Sequence, residues 1–214
     1  MVQIIPAILA TSENNYVRDI SIIKRSQSLK DGWIHIDFAD NIFVQNKSIE
    51  PEVIQKFPDD LQKEAHLMVA HPKEWVDKLV AAGFKRIIFH IECNDSIEEV
   101  IDYIKSKGLE AGLALNNNTP IDNLEPFVSK IDVVLVMTIV AGFQGQPFIP
   151  KALNKVREIK SKNWPARIGV DGAVKESNVK EIVNAGVDFV TVGSYLLTGD
   201  IDENLENLWE AIRD

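Results

Sequence analysis

Short runs of Ile, Val, Leu and Phe recur along the chain at intervals of roughly 22 to 34 residues, each followed by a longer stretch whose apolar positions keep helical spacing. The runs predict eight strands, at 4–9, 33–37, 64–69, 86–91, 110–115, 133–137, 167–171 and 189–192. Between them, 74–82 ends at Gly83, 97–107 at Gly108 and 179–185 at Gly186, each a helix followed by a glycine at C′. Ser177 and Asn178 supply capping side chains at the start of the last of these. Strict βα alternation implies a parallel sheet. Eight such units favour closure into an α/β fold of one domain, a (β/α)8 (TIM) barrel over 1–214; an open doubly wound sheet stays as the alternative, because a count of strands does not prove closure.

Composition narrows the picture further. With 214 residues, 45% hydrophobic and 26% charged, the chain is ordinary globular material, which excludes collagen-like, low-complexity and disordered classes. A formal net charge of -9 repels a phosphate backbone at long range and argues against nucleic acid as a partner. A small anionic substrate stays open, since backbone N–H groups at a helix start hold phosphate without Lys or Arg. Cys93 is the single cysteine, so no intrachain disulfide forms and a reducing, cytoplasmic setting is expected. The apolar run 4–10 has no basic flank and is read as a strand rather than a signal peptide. The longest strongly apolar stretch, 133–143, is well short of the ~18 to 20 residues that span a bilayer, so no membrane is expected.

A barrel places its chemistry at the C-terminal ends of the strands. The second predicted strand carries His35 and Asp37 on one face by period-2 alternation. Alone, that pair is equally a buried hydrogen bond. The third strand places His66 and Met68 on one face, within reach of the second, and the seventh ends in Asp171, three steps round the ring from Asp37. Two histidines and two aspartates then converge as a mixed nitrogen and oxygen shell for zinc or another divalent transition metal. Two carboxylates flanking a metal from opposite sides suit proton transfer next to a carbonyl: one removes a proton, the metal stabilises the enediolate, and the other returns a proton to the opposite face. A hydrolase would need a separate base for its water, and a nucleophilic mechanism finds no partnered His for Cys93 or the serines.

The glycine-rich stretch 140–148 after the sixth strand is long enough to act as a lid. Gly172 and Ala173 after the seventh strand, and Gly193 and Ser194 after the eighth, are small residues just before helices, where barrels bind phosphate through backbone N–H groups. Met68 and Met137 fall at strand ends and are equally core filler. His90 and Glu92 share one face at the end of the fourth strand and read as second-layer groups, His71 as an exposed residue, and Cys93 as having no role.

These residues resemble the ribulose-phosphate 3-epimerase family of metal-dependent barrels. The resemblance runs from Ile5-Pro6 to Gly193-Ser194, through His35-Ile36-Asp37, His66-Leu67-Met68-Val69, Leu115-Asn116 with Thr119-Pro120, Val136-Met137-Thr138, Gly142-Phe143 with Gly145-Gln146, and Val170-Asp171-Gly172. It implies His35, Asp37, His66 and Asp171 as metal ligands, with Asp37 and Asp171 doubling as acid and base. It also implies substrate contacts from Met68, Met137, Gly142, Phe143, Gly145, Gln146, Gly172, Ala173, Gly193 and Ser194. One Zn2+ or Fe2+ per subunit, a homo-oligomer, and D-ribulose 5-phosphate with D-xylulose 5-phosphate as the sugar-phosphate pair are its further expectations.

The chain departs from the family at Ala7, where a serine is usual, at Ala39-Asp40-Asn41 in place of Met-Asp-Gly, at Val140-Ala141 in place of Asn-Pro, and at Ala173 in place of a second glycine. None of these removes a candidate ligand or acid/base residue, so they bear on the sugar rather than on the reaction. An allulose-6-phosphate 3-epimerase or a related paralogue, and a non-catalytic sugar-phosphate-binding barrel, are the alternatives. A lyase of the hexulose-phosphate synthase or orotidine-phosphate decarboxylase kind, with its Asp-x-Lys-x-x-Asp pattern, meets Ala39 where the lysine should stand.

Overall fold

Eight parallel strands close on themselves in sequence order: β1 (Gln3–Ile8), β2 (Trp33–Ala39), β3 (Gln62–Met68), β4 (Arg86–His90), β5 (Glu110–Leu115), β6 (Val133–Met137), β7 (Arg167–Asp171) and β8 (Phe189–Val192), with β8 pairing back onto β1. The structure is a computed structural model and describes residues 2–29, 32–143 and 145–213. The helices are α1 (Glu13–Arg25), α2 (Pro51–Gln55), α3 (Val76–Ala81), α4 (Ile97–Ser106), α5 (Ala152–Ser161), α6 (Glu176–Asn184), α7 (Ser194–Leu197) and α8 (Ile201–Arg213). This is a single-domain (β/α)8 barrel, and the open-sheet alternative falls with the β1–β8 pairing.

The strands are near-continuous apolar runs because both of their faces are buried, one against the helices and one inside the ring. Outward residues such as Ile34, Ile36, Ala65, Leu67 and Ile87 join the helix faces in the larger core. Inward residues Ile5, Ile88, Ala114, Val133, Leu135 and Phe189 fill the middle of the ring as a separate apolar plug. Gly169 belongs to that plug by omission. A Cβ built there would lie 2.1 Å from Phe189 Cζ, so only glycine lets the ring pack across β7.

Four of the eight strands, β5 to β8, run between the residues expected from the sequence, and the others shift by one or two residues at one or both ends. Helix starts are less legible. A 3-10 turn (Pro72–Trp75) precedes α3, and α6 begins at Glu176, with Lys175 at the N-cap position. Ser177 is therefore inside the helix rather than its cap, while Asn178 Oδ1 accepts from the Lys175 N–H at 2.9 Å. Gly83, Gly108 and Gly186 take positive φ as their C′ positions require. No helix among the described residues is long and apolar enough to cross a membrane.

Replacing Gly169 by Ala forces Phe189 or β7 to move, so Gly169→Ala should lower unfolding stability by about 1–3 kcal/mol, read from the denaturant midpoint.

Candidate active site

Parallel register sets the inward residues of neighbouring strands side by side. Asp37 pairs with His66 across β2 and β3, His35 with Glu64 one step below, and Asp171 with both Met137 and Thr191. The result, above the apolar plug, is a group formed by His35, Asp37, His66 and Asp171 whose ligand-type atoms all lie within 4.8 Å of one another.

Each inner atom is aimed by a bond made on its far side. His35 Nδ1 donates to Glu64 Oε1 at 2.7 Å, which leaves Nε2 facing Asp37 Oδ1 at 3.2 Å. Glu64 is itself fully buried and is held by the Arg86 guanidinium at 2.6 Å; Arg86 also pairs with Glu110 and stacks on the Trp33 ring at 4.1 Å. His66 Nδ1 lies 2.8 Å from Asp37 Oδ1 and 3.6 Å from Asp171 Oδ2. The Thr191 hydroxyl donates to Asp171 Oδ1 at 2.5 Å and so orients that carboxylate.

The electrostatics separate the two acids. Burial would push the Asp37 carboxyl up, but His35 and His66 more than offset it and hold it below the ordinary carboxylate range. Asp171 goes the other way, raised by burial and then by the charge of Asp37. Burial likewise opposes charge on His35, yet Asp37 and Glu64 hold its pKa well above the usual value. Two acids with opposite shifts in one site are the arrangement expected of a donor and acceptor pair. With the outer nitrogen of His35 committed to Glu64, two imidazole nitrogens and two carboxylates converge on one point. That donor set fits a divalent transition metal, so the group could bind one.

Above the group opens a cavity of about 620 Å³. Of the positions expected from the sequence, Asp37, Met68, Met137, Gly142, Phe143, Gly145, Gln146, Asp171, Gly172, Ala173, Gly193 and Ser194 all line it, whereas His35 and His66 are fully buried beneath. Gly172 has φ 116°, and a Cβ there would meet Ile139 at 2.4 Å; Ala173 is left-handed at φ 52°. The stretch after β6 is tethered to the loop after β2, because the Asn46 side chain donates to the Gly142 carbonyl at 2.7 Å and Val44 packs on Gly142. Gln144, inside the expected lid, lies outside the described residues.

Sequence reasoning passed over Glu64, Arg86 and Thr191, although alternation places Glu64 two residues before His66 on the same inward face. It also passed over Lys175, Tyr195, Thr198 and Asn204, which line the cavity as well. Those four carry no local pattern and meet only through the packing of α6, α7 and α8. His71 is half exposed and bonded to Asp95, as a surface residue would be.

A family model described as "Ribulose-phosphate 3 epimerase family" matches residues 3–197. Among curated proteins, the chain is similar to ribulose-phosphate 3-epimerase of Schizosaccharomyces pombe, 34% identical over 90% of this chain and 85% of that one. It is also similar to ribulose-phosphate 3-epimerase of Escherichia coli strain K12, 36% identical over 75% of each chain. Among solved structures, 3-hexulose-6-phosphate synthase from Salmonella typhimurium superposes with a TM-score of 0.74 over 99% of both chains, at 15% identity, which is a likeness of fold.

Two outcomes check this description. Arg86→Met would remove the guanidinium that holds the buried Glu64 carboxylate and leave His35 as its remaining partner, and chemical denaturation should read a loss of about 3–5 kcal/mol. Burial pushes the Cys93 thiol up to about 11, so its alkylation by iodoacetamide near pH 7.5 should run more than ~100 times slower than that of a free cysteine and quicken about tenfold per pH unit.

Proposed function

Since the chain belongs to the ribulose-phosphate 3-epimerase family, we propose that it inverts C3 of a ketose phosphate, interconverting D-ribulose 5-phosphate and D-xylulose 5-phosphate, with Asp37 and Asp171 exchanging the C3 proton. One observation carries this reading: two aspartates with opposite pKa shifts stand in a single buried group with two imidazoles at the floor of the cavity. His35, Asp37, His66 and Asp171 would hold the divalent ion, with Zn2+ or Fe2+ suited to the mixed donor set. When bound, such an ion supplies Lewis-acid polarisation of the substrate oxygens and offsets the negative charge that develops as C3 loses its proton.

The residues supply the rest. One aspartate removes the proton from C3, the carbon becomes planar, and the other aspartate delivers a proton to the opposite face; the reverse reaction exchanges their roles. Thr191 fixes the Asp171 carboxylate so that its free oxygen faces the substrate. Met68 and Met137, both buried, present apolar and polarisable thioethers that keep water away from the planar carbanionic carbon. Backbone N–H groups about Gly172, Ala173, Gly193 and Ser194 would hold the phosphate and set C3 over the acids. Phe143, Gly145 and Gln146 cover the sugar from the β6 side. The lyase pattern is broken at Ala39, which is buried and apolar.

Asp37→Asn and Asp171→Asn should each lower epimerase turnover by about 10²–10⁴-fold with circular dichroism unchanged. In D2O the wild type should exchange the C3 hydrogen of its ketose phosphate, followed by proton NMR across pentulose and hexulose phosphates. Binding without exchange for every sugar offered would leave a non-catalytic binding barrel. Chelation should abolish turnover and also lower the melting temperature, both restored by Zn2+ or Fe2+.

A further inference from the structure

His66 is the one imidazole of the group whose outer nitrogen meets no carboxylate. Its Nε2 lies 3.0 Å from Nε2 of His90, with the two rings stacked at 5.1 Å between centroids. His90 is fully buried, and its Nδ1 lies 3.1 Å from Glu92 Oε2. The other oxygen of Glu92, Oε1, accepts from the Asn116 N–H at 2.9 Å and from the Thr119 hydroxyl. Phe43, from the loop after β2, covers the His90 ring at 4.8 Å.

The hydrogens in this chain can be assigned from one end. An ionised carboxylate only accepts, so Glu92 requires a hydrogen on His90 Nδ1. A nitrogen-to-nitrogen contact of 3.0 Å holds one hydrogen, and with His90 Nε2 as a lone pair that hydrogen belongs to His66 Nε2. Without an ion, Asp37 Oδ1 at 2.8 Å accepts a hydrogen from His66 Nδ1; once an ion displaces that hydrogen, the Nε2–H held by His90 leaves Nδ1 as the lone pair facing the point shared with Asp37 and Asp171. We infer that His90 and Glu92 are positioning residues that set the tautomer of His66 through this relay, with the β5 loop as its anchor. The inference rests on the reading of this site as the divalent-metal centre of an epimerase. It differs from the His35 side, where a buried carboxylate neutralised by arginine performs the same task directly.

Glu92→Gln tests it, because the substitution keeps volume and reverses polarity. The amide oxygen stays with the two donors at Oε1, so the NH2 group faces His90 Nδ1. His90 must then carry its hydrogen on Nε2, and His66 is driven to the Nδ1–H form, which has no lone pair for the centre. Long-range 15N–1H NMR of histidine-labelled protein should find His90 as the Nδ1–H tautomer in the wild type, with or without Zn2+, and as the Nε2–H tautomer in Glu92→Gln. Zn2+ affinity by competition with a chromophoric chelator should fall about 10- to 100-fold in the variant.

Wild-type His90 carrying its hydrogen on Nε2 would overturn the relay, as would a variant with unchanged tautomers and affinity. If Glu92→Gln does not fold, His90→Gln and His90→Phe decide the matter. The glutamine offers His66 an amide oxygen and should keep most of the affinity, the phenylalanine should lose it, and equal affinities would overturn the inference. A wild type that takes up no divalent ion would count against the epimerase-centre reading alone, since the His90 tautomer in metal-free protein still decides the relay.

Discussion

Among the described residues, most ionisable groups inside this barrel are members of one connected chain, with Asp171 beside it at 3.6 Å from His66. That chain runs from Glu110 through Arg86, Glu64, His35, Asp37, His66 and His90 to Glu92, each link a contact of 2.6 to 3.2 Å. An isolated charge at any of the buried positions would cost several kcal/mol, and the attraction of a neighbour offsets that only when the geometry is close. Parallel register supplies the geometry. Inward residues on adjacent strands stand one strand spacing apart, about 4.8 Å, which brings side-chain tips into hydrogen-bond reach without further adjustment.

The same chain explains why the C-terminal end of the barrel differs from its middle. At the level of Ile5, Ile88, Leu135 and Phe189 the ring is filled by apolar side chains and excludes water. That plug separates the end carrying the His/Asp group from the opposite mouth and gives the group a buried, apolar floor. Low polarity there strengthens every interaction among the four inner residues, and it drives the Asp37 and Asp171 carboxyls apart in acidity. The cavity above is built from loops after β6, β7 and β8, where glycine is required by backbone shape at Gly142 and Gly172 rather than by a direct role in chemistry.

Much of this could be read along the chain. Apolar runs at βα spacing marked all eight strands, and alternation within β2 and β3 put His35, Asp37 and His66 on the inner wall. Asp171 at the end of β7 followed from the rule that barrels place chemistry at strand C-termini. Glu64 and Thr191 obey the same alternation and went unremarked, because a buried glutamate or threonine has no meaning until its partner is known. Lys175, Tyr195, Thr198 and Asn204 had no such signal; they come together from a loop, a short helix and α8, which local periodicity does not relate.

Local chemistry by itself determined the element types, their order and the inward face of each strand, since side-chain alternation and helical periodicity are properties of a few consecutive residues. Closure was decided only in three dimensions, by the hydrogen bonds between β1 and β8, which join residues at the two ends of the fold. So was the shared register that turns separate inward histidines and acids into one group, and so were the second contacts that choose which nitrogen of each imidazole faces it. Those depend on distances between residues far apart in the chain, and such distances are set by the packed ring as a whole.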